Sequence, residues 1–210
     1  MDNMCEELHF VFFKLKRFYF PFEVSQIPSN GIYILFERGE QAHGVDRIVR
    51  IGTHTGKNQL CSRLKQHFEI ENKDRSIFRK NIGRALLNQN KDPFLEQWNW
   101  DLTTRKNKEI YGSLVDLGKL KRIEQEVSRY IQKSFSFVVF AVQQKEKRLS
   151  FESKIISTVS QCAECYPSSS WLGLSSPNLK IRNSGLWQVN ELHKKPLSET
   201  ELIEIKQFLR

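Results

Sequence analysis

Four kinds of side chain occur along this chain in an order that could act on a phosphodiester. Gly31-Ile32-Tyr33 supplies a phenol, Arg50-Ile51-Gly52 a guanidinium, Arg63-x-x-x-His67 a second guanidinium with an imidazole, and Glu152 a carboxylate. Phosphodiester hydrolysis needs an activated water, compensation of charge on the phosphoryl oxygens and help for the leaving 3′-oxygen. These groups and one divalent metal ion suffice for all three. None is informative alone, because a Gly-Ile-Tyr tripeptide arises by chance and an isolated arginine is usually a surface residue. The ordered set is the stronger signal.

The elements that must position them follow from patterning. Pro28-Ser29-Asn30-Gly31 is turn chemistry. Ile32–Phe36 then reads as a buried strand and Arg47–Ile51 as its hairpin partner. Gly52-Thr53-His54-Thr55-Gly56 is a loop whose glycines let backbone approach a ligand. Leu60, Leu64 and Phe68 recur at helical spacing, so Arg63 and His67, four apart, share a neighbouring face. In a second helix Ile77, Phe78, Ile82, Ala85 and Leu86 form the apolar face, with Arg75, Arg79, Lys80 and Arg84 away from it. Residues 88–118 are polar, Trp98 and Trp100 excepted, and read as an insertion with partial helix. Leu120, Ile123, Val127 and Ile131 mark a helix, Phe135–Val142 a central strand, and Leu149, Ile155, Ile156 and Val159 another helix with Glu152 in its first turn. The β-formers of His9–Phe20 suggest an extra strand or an extended arm. The Ser-, Gly- and Pro-rich tail from Tyr166 to Trp187 reads as irregular, before a final helix from about Ser198.

The expected class is α+β, a small antiparallel three-stranded sheet flanked by helices. The expected divisions are an N-terminal arm (1–29), a core (30–160, with its insertion) and a C-terminal extension packed on the core (161–210).

A chain of 210 residues can bury a sizeable core, and its 39% hydrophobic and 27% charged residues are ordinary for a globular protein. The net charge of +9 points to a polyanionic partner. Nine lysines and arginines face three acids between Arg50 and Arg84, so most of the excess lies in one stretch. Four cysteines are too few for a disulfide scaffold in a chain this size. Cys162-x-x-Cys165 offers half a zinc site, but Cys5 and Cys61 are unpaired in sequence, so reduced thiols near a turn are expected. The aromatic N-terminus is broken by Lys14, Lys16 and Arg17, which argues against a signal peptide or membrane span and for a cytoplasmic protein.

The order of Gly31-Ile32-Tyr33, Arg50-Ile51-Gly52, Arg63, His67 and Glu152 resembles the GIY-YIG nuclease superfamily over roughly Gly31 to Val159. That resemblance implies a metal-dependent endonuclease cutting DNA. Tyr33 would deprotonate or orient the water, Arg63 would stabilise phosphate charge, and His67 would shuttle protons or bind phosphate, with His54 a second candidate. Glu152 would hold Mg²⁺ or Mn²⁺. A phenol near pKa ~10 is a poor base at neutral pH unless cations lower that value. Arg50 stands where the motif usually carries its second tyrosine: it could depress the Tyr33 pKa or grip phosphate, but it cannot replace a phenol. No asparagine follows Glu152 at short spacing, as many members have; Asn178 and Asn183 are the next available.

Three readings remain open. One is the endonuclease, with double-stranded DNA along Lys57, Lys65, Arg75, Arg79, Lys80 and Arg84 and room for a homodimer. The second is a nucleic-acid-binding module that keeps the fold without catalysis. The third is a protein whose basic face binds an acidic partner.

Overall fold

The computed structural model describes residues 2–209. In chain order the elements are α1 (Asp2–Phe13), β1 (Phe18–Tyr19), β2 (Gly31–Ala42), β3 (Val45–Gly52), α2 (Leu60–Phe68) and α3 (Ile77–Gln89). They continue with α4 (Leu95–Asn99), α5 (Arg105–Tyr111), α6 (Leu117–Ser134), β4 (Phe135–Ala141), α7 (Lys145–Ser160), α8 (Leu179–Ser184) and α9 (Glu199–Phe208). The sheet is antiparallel throughout, in the order β1-β4-β2-β3.

The class is α+β as expected, with four strands rather than three. The addition is the two-residue β1, which pairs Phe18 with Phe137 at the edge of β4. Of the stretch His9–Phe20, the expected extra strand is thus only Phe18–Tyr19, and His9–Phe13 closes helix α1 instead. Leu8 and Phe12 of α1 pack into the core beneath the sheet, and that long-range burial overrides the β-propensity of the segment.

Ile32–Phe36 of β2 is apolar without alternation because helices cover both faces of the sheet. Tyr33 and Leu35 join Val49 and Phe137 against Leu64 and Phe68 of α2, Phe78 and Ile82 of α3, and Val127 and Ile131 of α6. On the other face, Ile32, Ile34, Phe36, Ile48 and Phe140 meet α1, α7 and α9. Trp98 of the polar stretch is fully buried, and its indole N–H donates to the Lys80 carbonyl at 2.9 Å. The tail is anchored as well. Trp187 N–H donates to Val49 O at 2.8 Å, and Gln188 Oε1 accepts from Ile51 N–H at 2.8 Å, so these residues run along the outer side of β3.

One irregularity bears on the site. Leu35 pairs with Arg50 but Phe36 pairs with Ile48, which leaves Val49 as an extra residue in β3. Such a bulge re-aims the side chains beside it. Here Arg50 shares the face of Leu35 and Tyr33.

Candidate active site

The first motif segment lies on β2 and the second on β3, with Tyr33 directly opposite Gly52. That pairing explains the glycine: a Cβ on Gly52 would stand 2.2 Å from the Tyr33 hydroxyl. Only hydrogen at this position lets the phenol lie across the neighbouring strand.

Tyr33 is 1% exposed and its hydroxyl is 2.8 Å from His67 Nε2. His67 is fully buried near the end of α2, and its Nδ1 lies 2.7 Å from Ser76 Oγ. Ser76 caps α3 by accepting from Arg79 N–H, and among the described residues its own proton has one acceptor, His67 Nδ1. That assigns the imidazole proton to Nε2, which donates to the Tyr33 oxygen. Burial holds the His67 pKa well below its usual value, reinforced by Arg63, Arg50 and Arg79, so the ring is neutral.

Glu152 reaches the same region from α7. It sits in the middle of this helix, which begins at Lys145, rather than in a first turn. Its Oε1 accepts from Thr53 N–H at 3.0 Å. Burial raises its pKa and nearby Glu191 adds to the rise, whereas Arg50, the Thr53 N–H and Arg63 act the other way. Glu152 and Arg63 line an open cleft of about 380 Å³ together with Thr53, His54, Gln59 and Gln66. Arg63 donates to Gln66 Oε1 at 2.9 Å and to the Arg75 carbonyl at 3.0 Å.

Arg50 is buried behind this cleft. It donates from Nη1 to the Trp187 carbonyl and lies over the Phe78 ring, while its Nε has no partner among the described residues. His54 lines the cleft, but both its nitrogens are engaged: Nδ1 faces the Gly56 carbonyl at 2.6 Å and Nε2 accepts from Gly31 N–H at 3.4 Å. With Thr53 Oγ1 donating to Gly31 O at 2.7 Å, this histidine ties the loop to β2. Burial also lowers its pKa, against the pull of the Gly56 carbonyl, so it is neutral at pH 7.

The expected basic face divides. Arg79 is fully buried, contrary to the reading of it as a phosphate contact. It donates to Glu124 Oε2 at 2.7 Å, to Ser128 Oγ at 2.8 Å and to the His67 carbonyl at 3.2 Å, so it fixes the end of α2 against α6. Lys80 is ion-paired with Asp74, and Arg84 donates to Asn99 and Asn81. Ile77, assigned to the apolar face, is 43% exposed. Lys57 and Arg75 are exposed, and Lys65 is half-exposed beside Glu69.

Four contributors escape a reading of the sequence: Thr53 through its N–H, Ser76, Arg79 as a positioning residue, and Glu191. Glu191 has a left-handed backbone (φ 64) and accepts from Ser153 Oγ at 2.5 Å. Ser76 carries a local signal as a helix cap; the others depend on tertiary contacts. Of the two candidate asparagines, Asn178 caps α8 and Asn183 is exposed, and neither lines the cleft.

A family model described as GIY-YIG domain matches residues 16–206. The match extends past the Gly31–Val159 span of the motif resemblance and takes in the tail that borders β3. No curated protein and no solved structure matches the chain.

Proposed function

This chain belongs to the GIY-YIG family of nuclease domains, and from that premise we propose that it is a metal-dependent endonuclease hydrolysing phosphodiester bonds in double-stranded DNA. The observation that carries the reading is convergence. Glu152 and Arg63, 89 positions apart, line one cleft with Thr53, and the buried Tyr33 lies against the adjoining Gly52 rather than in that cleft.

Glu152 fits a divalent cation. One oxygen is held by Thr53 N–H, the other has no hydrogen-bond partner among the described residues, and because burial raises the pKa a cation beside it would favour the charged form. Mg²⁺ or Mn²⁺ held there supplies Lewis-acid stabilisation of the phosphoryl and leaving oxygens. Glu191 is close enough to add negative charge to that position.

The remaining roles belong to the chain itself. Tyr33, in its phenolate form, takes the proton from the attacking water and becomes the neutral phenol. His67 Nε2–H, oriented by Ser76, donates to the phenol oxygen and stabilises charge there. Arg63 presents forked donors to a phosphate whose charge grows in the transition state. Arg50 supplies a second cation behind Glu152 and an unused Nε donor. DNA tracks the exposed Lys57 and Arg75 and the half-exposed Lys65.

A second reading has one observation in its favour. Tyr33 and His67 are both buried, which suits a module that keeps the fold and binds nucleic acid without cutting it. Incubating supercoiled plasmid with the pure protein and Mg²⁺, against an EDTA control, separates them. Metal-dependent nicking supports the endonuclease; binding without nicking selects the second reading.

A further inference from the structure

On the sheet face opposite Tyr33, three segments far apart in sequence bring thiols and imidazoles to one point. Cys5 comes from α1, His43 from the turn between β2 and β3, and Cys162 and Cys165 from the loop that ends α7. Cys165 Sγ lies 3.4 Å from Cys5 Sγ and 3.3 Å from His43 Nε2. Cys162 Sγ lies 3.6 Å from the same nitrogen.

We propose that Cys5, His43, Cys162 and Cys165 hold one tetrahedral zinc ion. Ligands ~2.0–2.3 Å from zinc at tetrahedral angles lie roughly 3.3–3.8 Å from one another, and the three separations given above fall in that range. The sulfur–sulfur separation is far beyond a disulfide bond of ~2.05 Å, and all four cysteines are free.

The surroundings match the same chemistry. Glu164 N–H points at Cys162 Sγ, 3.5 Å away, inside the Cys-x-x-Cys turn, as a donor supporting a thiolate ligand. Glu164 Oε2 lies 3.3 Å from His43 Nδ1, which places the ring proton there and leaves the Nε2 lone pair facing the sulfurs. A carboxylate behind a histidine is a recurrent support for a metal ligand. His43 itself has a left-handed backbone (φ 52) followed by Gly44 (φ 77), the turn that normally carries Asn-Gly. A histidine in that conformation indicates a side chain needed at that place.

His9 is adjacent but is not a ligand. The ligand atoms of Cys5, His9, His43 and Cys165 lie within 4.8 Å of one another. However, His9 Nδ1 donates to the Cys5 carbonyl at 2.9 Å and Nε2 accepts from Ile48 N–H at 3.1 Å, so both ring nitrogens are already engaged. Its place in the set is taken by Cys162. Four protein ligands leave no open position, so the ion is structural, and its soft thiolate set is distinct from the hard-oxygen position at Glu152.

The test uses the full chain purified from zinc-supplemented medium under reducing conditions. Elemental analysis is expected to find one zinc per chain, released by a thiol-blocking mercurial and detected with a chromophoric chelator. Cobalt substitution is expected to give intense thiolate-to-metal charge transfer with tetrahedral visible bands. Cys162→Ser should lose most of the metal and weaken the charge-transfer band, whereas His9→Gln and Glu152→Gln should keep full stoichiometry. Because a ligand variant can misfold, the wild-type cobalt spectrum and zinc release stand as independent measurements. Metal-free wild type with no charge transfer on cobalt addition overturns the proposal. Full zinc in Cys162→Ser with loss in His9→Gln overturns the ligand assignment.

Discussion

Tyr33 and His67 are joined by a 2.8 Å hydrogen bond in which the imidazole is the donor and the phenol oxygen the acceptor. The direction follows from Ser76, whose hydroxyl occupies the other ring nitrogen. A donor aimed at that oxygen stabilises the phenolate, the form in which a tyrosine can accept a proton. Tyr33→Phe keeps the ring in the core and removes the oxygen. Cleavage is expected to fall by roughly two to four orders of magnitude, the usual worth of positioned acid–base catalysis. Single-turnover rates on a labelled duplex check this, and near-wild-type rates would make Tyr33 a packing residue.

Gly52→Ala tests the same placement from the opposite strand. The new methyl would meet the Tyr33 hydroxyl, so either the phenol or the β3 backbone must shift. We expect a stability loss of about 1–3 kcal/mol, typical of overpacking, with a fall in cleavage that follows Tyr33→Phe. The double variant should be no slower than Tyr33→Phe alone; additive losses in rate would mean that the two residues act separately.

Glu152→Gln should abolish metal-dependent nicking and leave duplex affinity nearly unchanged, as measured by nicking and by fluorescence anisotropy. It should also make the protein more stable at neutral pH. The folded-state pKa of Glu152 is raised, so the folded chain binds its proton more tightly than the unfolded chain does. Stability from this group is present below the unfolded pKa of ~4.3 and is lost as pH rises through the folded value. The amide removes the loss, so its advantage in denaturant midpoint should shrink as pH is lowered towards ~4, where the unfolded carboxylate also takes up its proton. An advantage that does not change across this pH range would contradict the assigned burial.

Arg79→Ala is expected to act on stability. It leaves Glu124 buried and uncompensated, which costs about 3–5 kcal/mol for an interior pair. Denaturant unfolding measures this directly. A variant that unfolds like wild type and loses only DNA affinity would restore the phosphate-contact reading.

Charge reversal at Lys57 and Arg75 should weaken duplex binding across sequences alike. The slope of log affinity against log salt should fall by roughly one unit for each phosphate that the protein no longer neutralises. Unchanged affinity and slope would place the DNA on another face.

The contrast between Arg79 and Leu64 shows what is legible in the sequence. Leu60, Leu64 and Phe68 form an apolar stripe whose burial follows from helical period alone, and the structure buries all three. Tyr33, Arg63, His67 and Glu152 are visible as an ordered set because each is tied to an element with its own local signal. Arg79 is misplaced by sequence because charge normally means surface, and the Glu124 that compensates it lies 45 residues away on α6. Helix α1 is hidden for a related reason: its β-forming aromatics fold as a helix because Leu8 and Phe12 find a sheet face contributed by residues 31–51. The Cys5 and Cys165 thiols, 160 positions apart, meet only once both cross-sheet elements are in place.

The residues that run along β3 also limit how two copies of this chain could meet. An exposed strand edge presents unpaired N–H and C=O groups on which a neighbour can add a strand. On one side of this sheet, Trp187 and the Gln188 side chain occupy those groups at Val49 and Ile51. On the other side the outermost strand is only Phe18–Tyr19, too short to template another. A continuous sheet across two protomers is therefore disfavoured at both margins, and a second copy would have to meet this one through helices or loops.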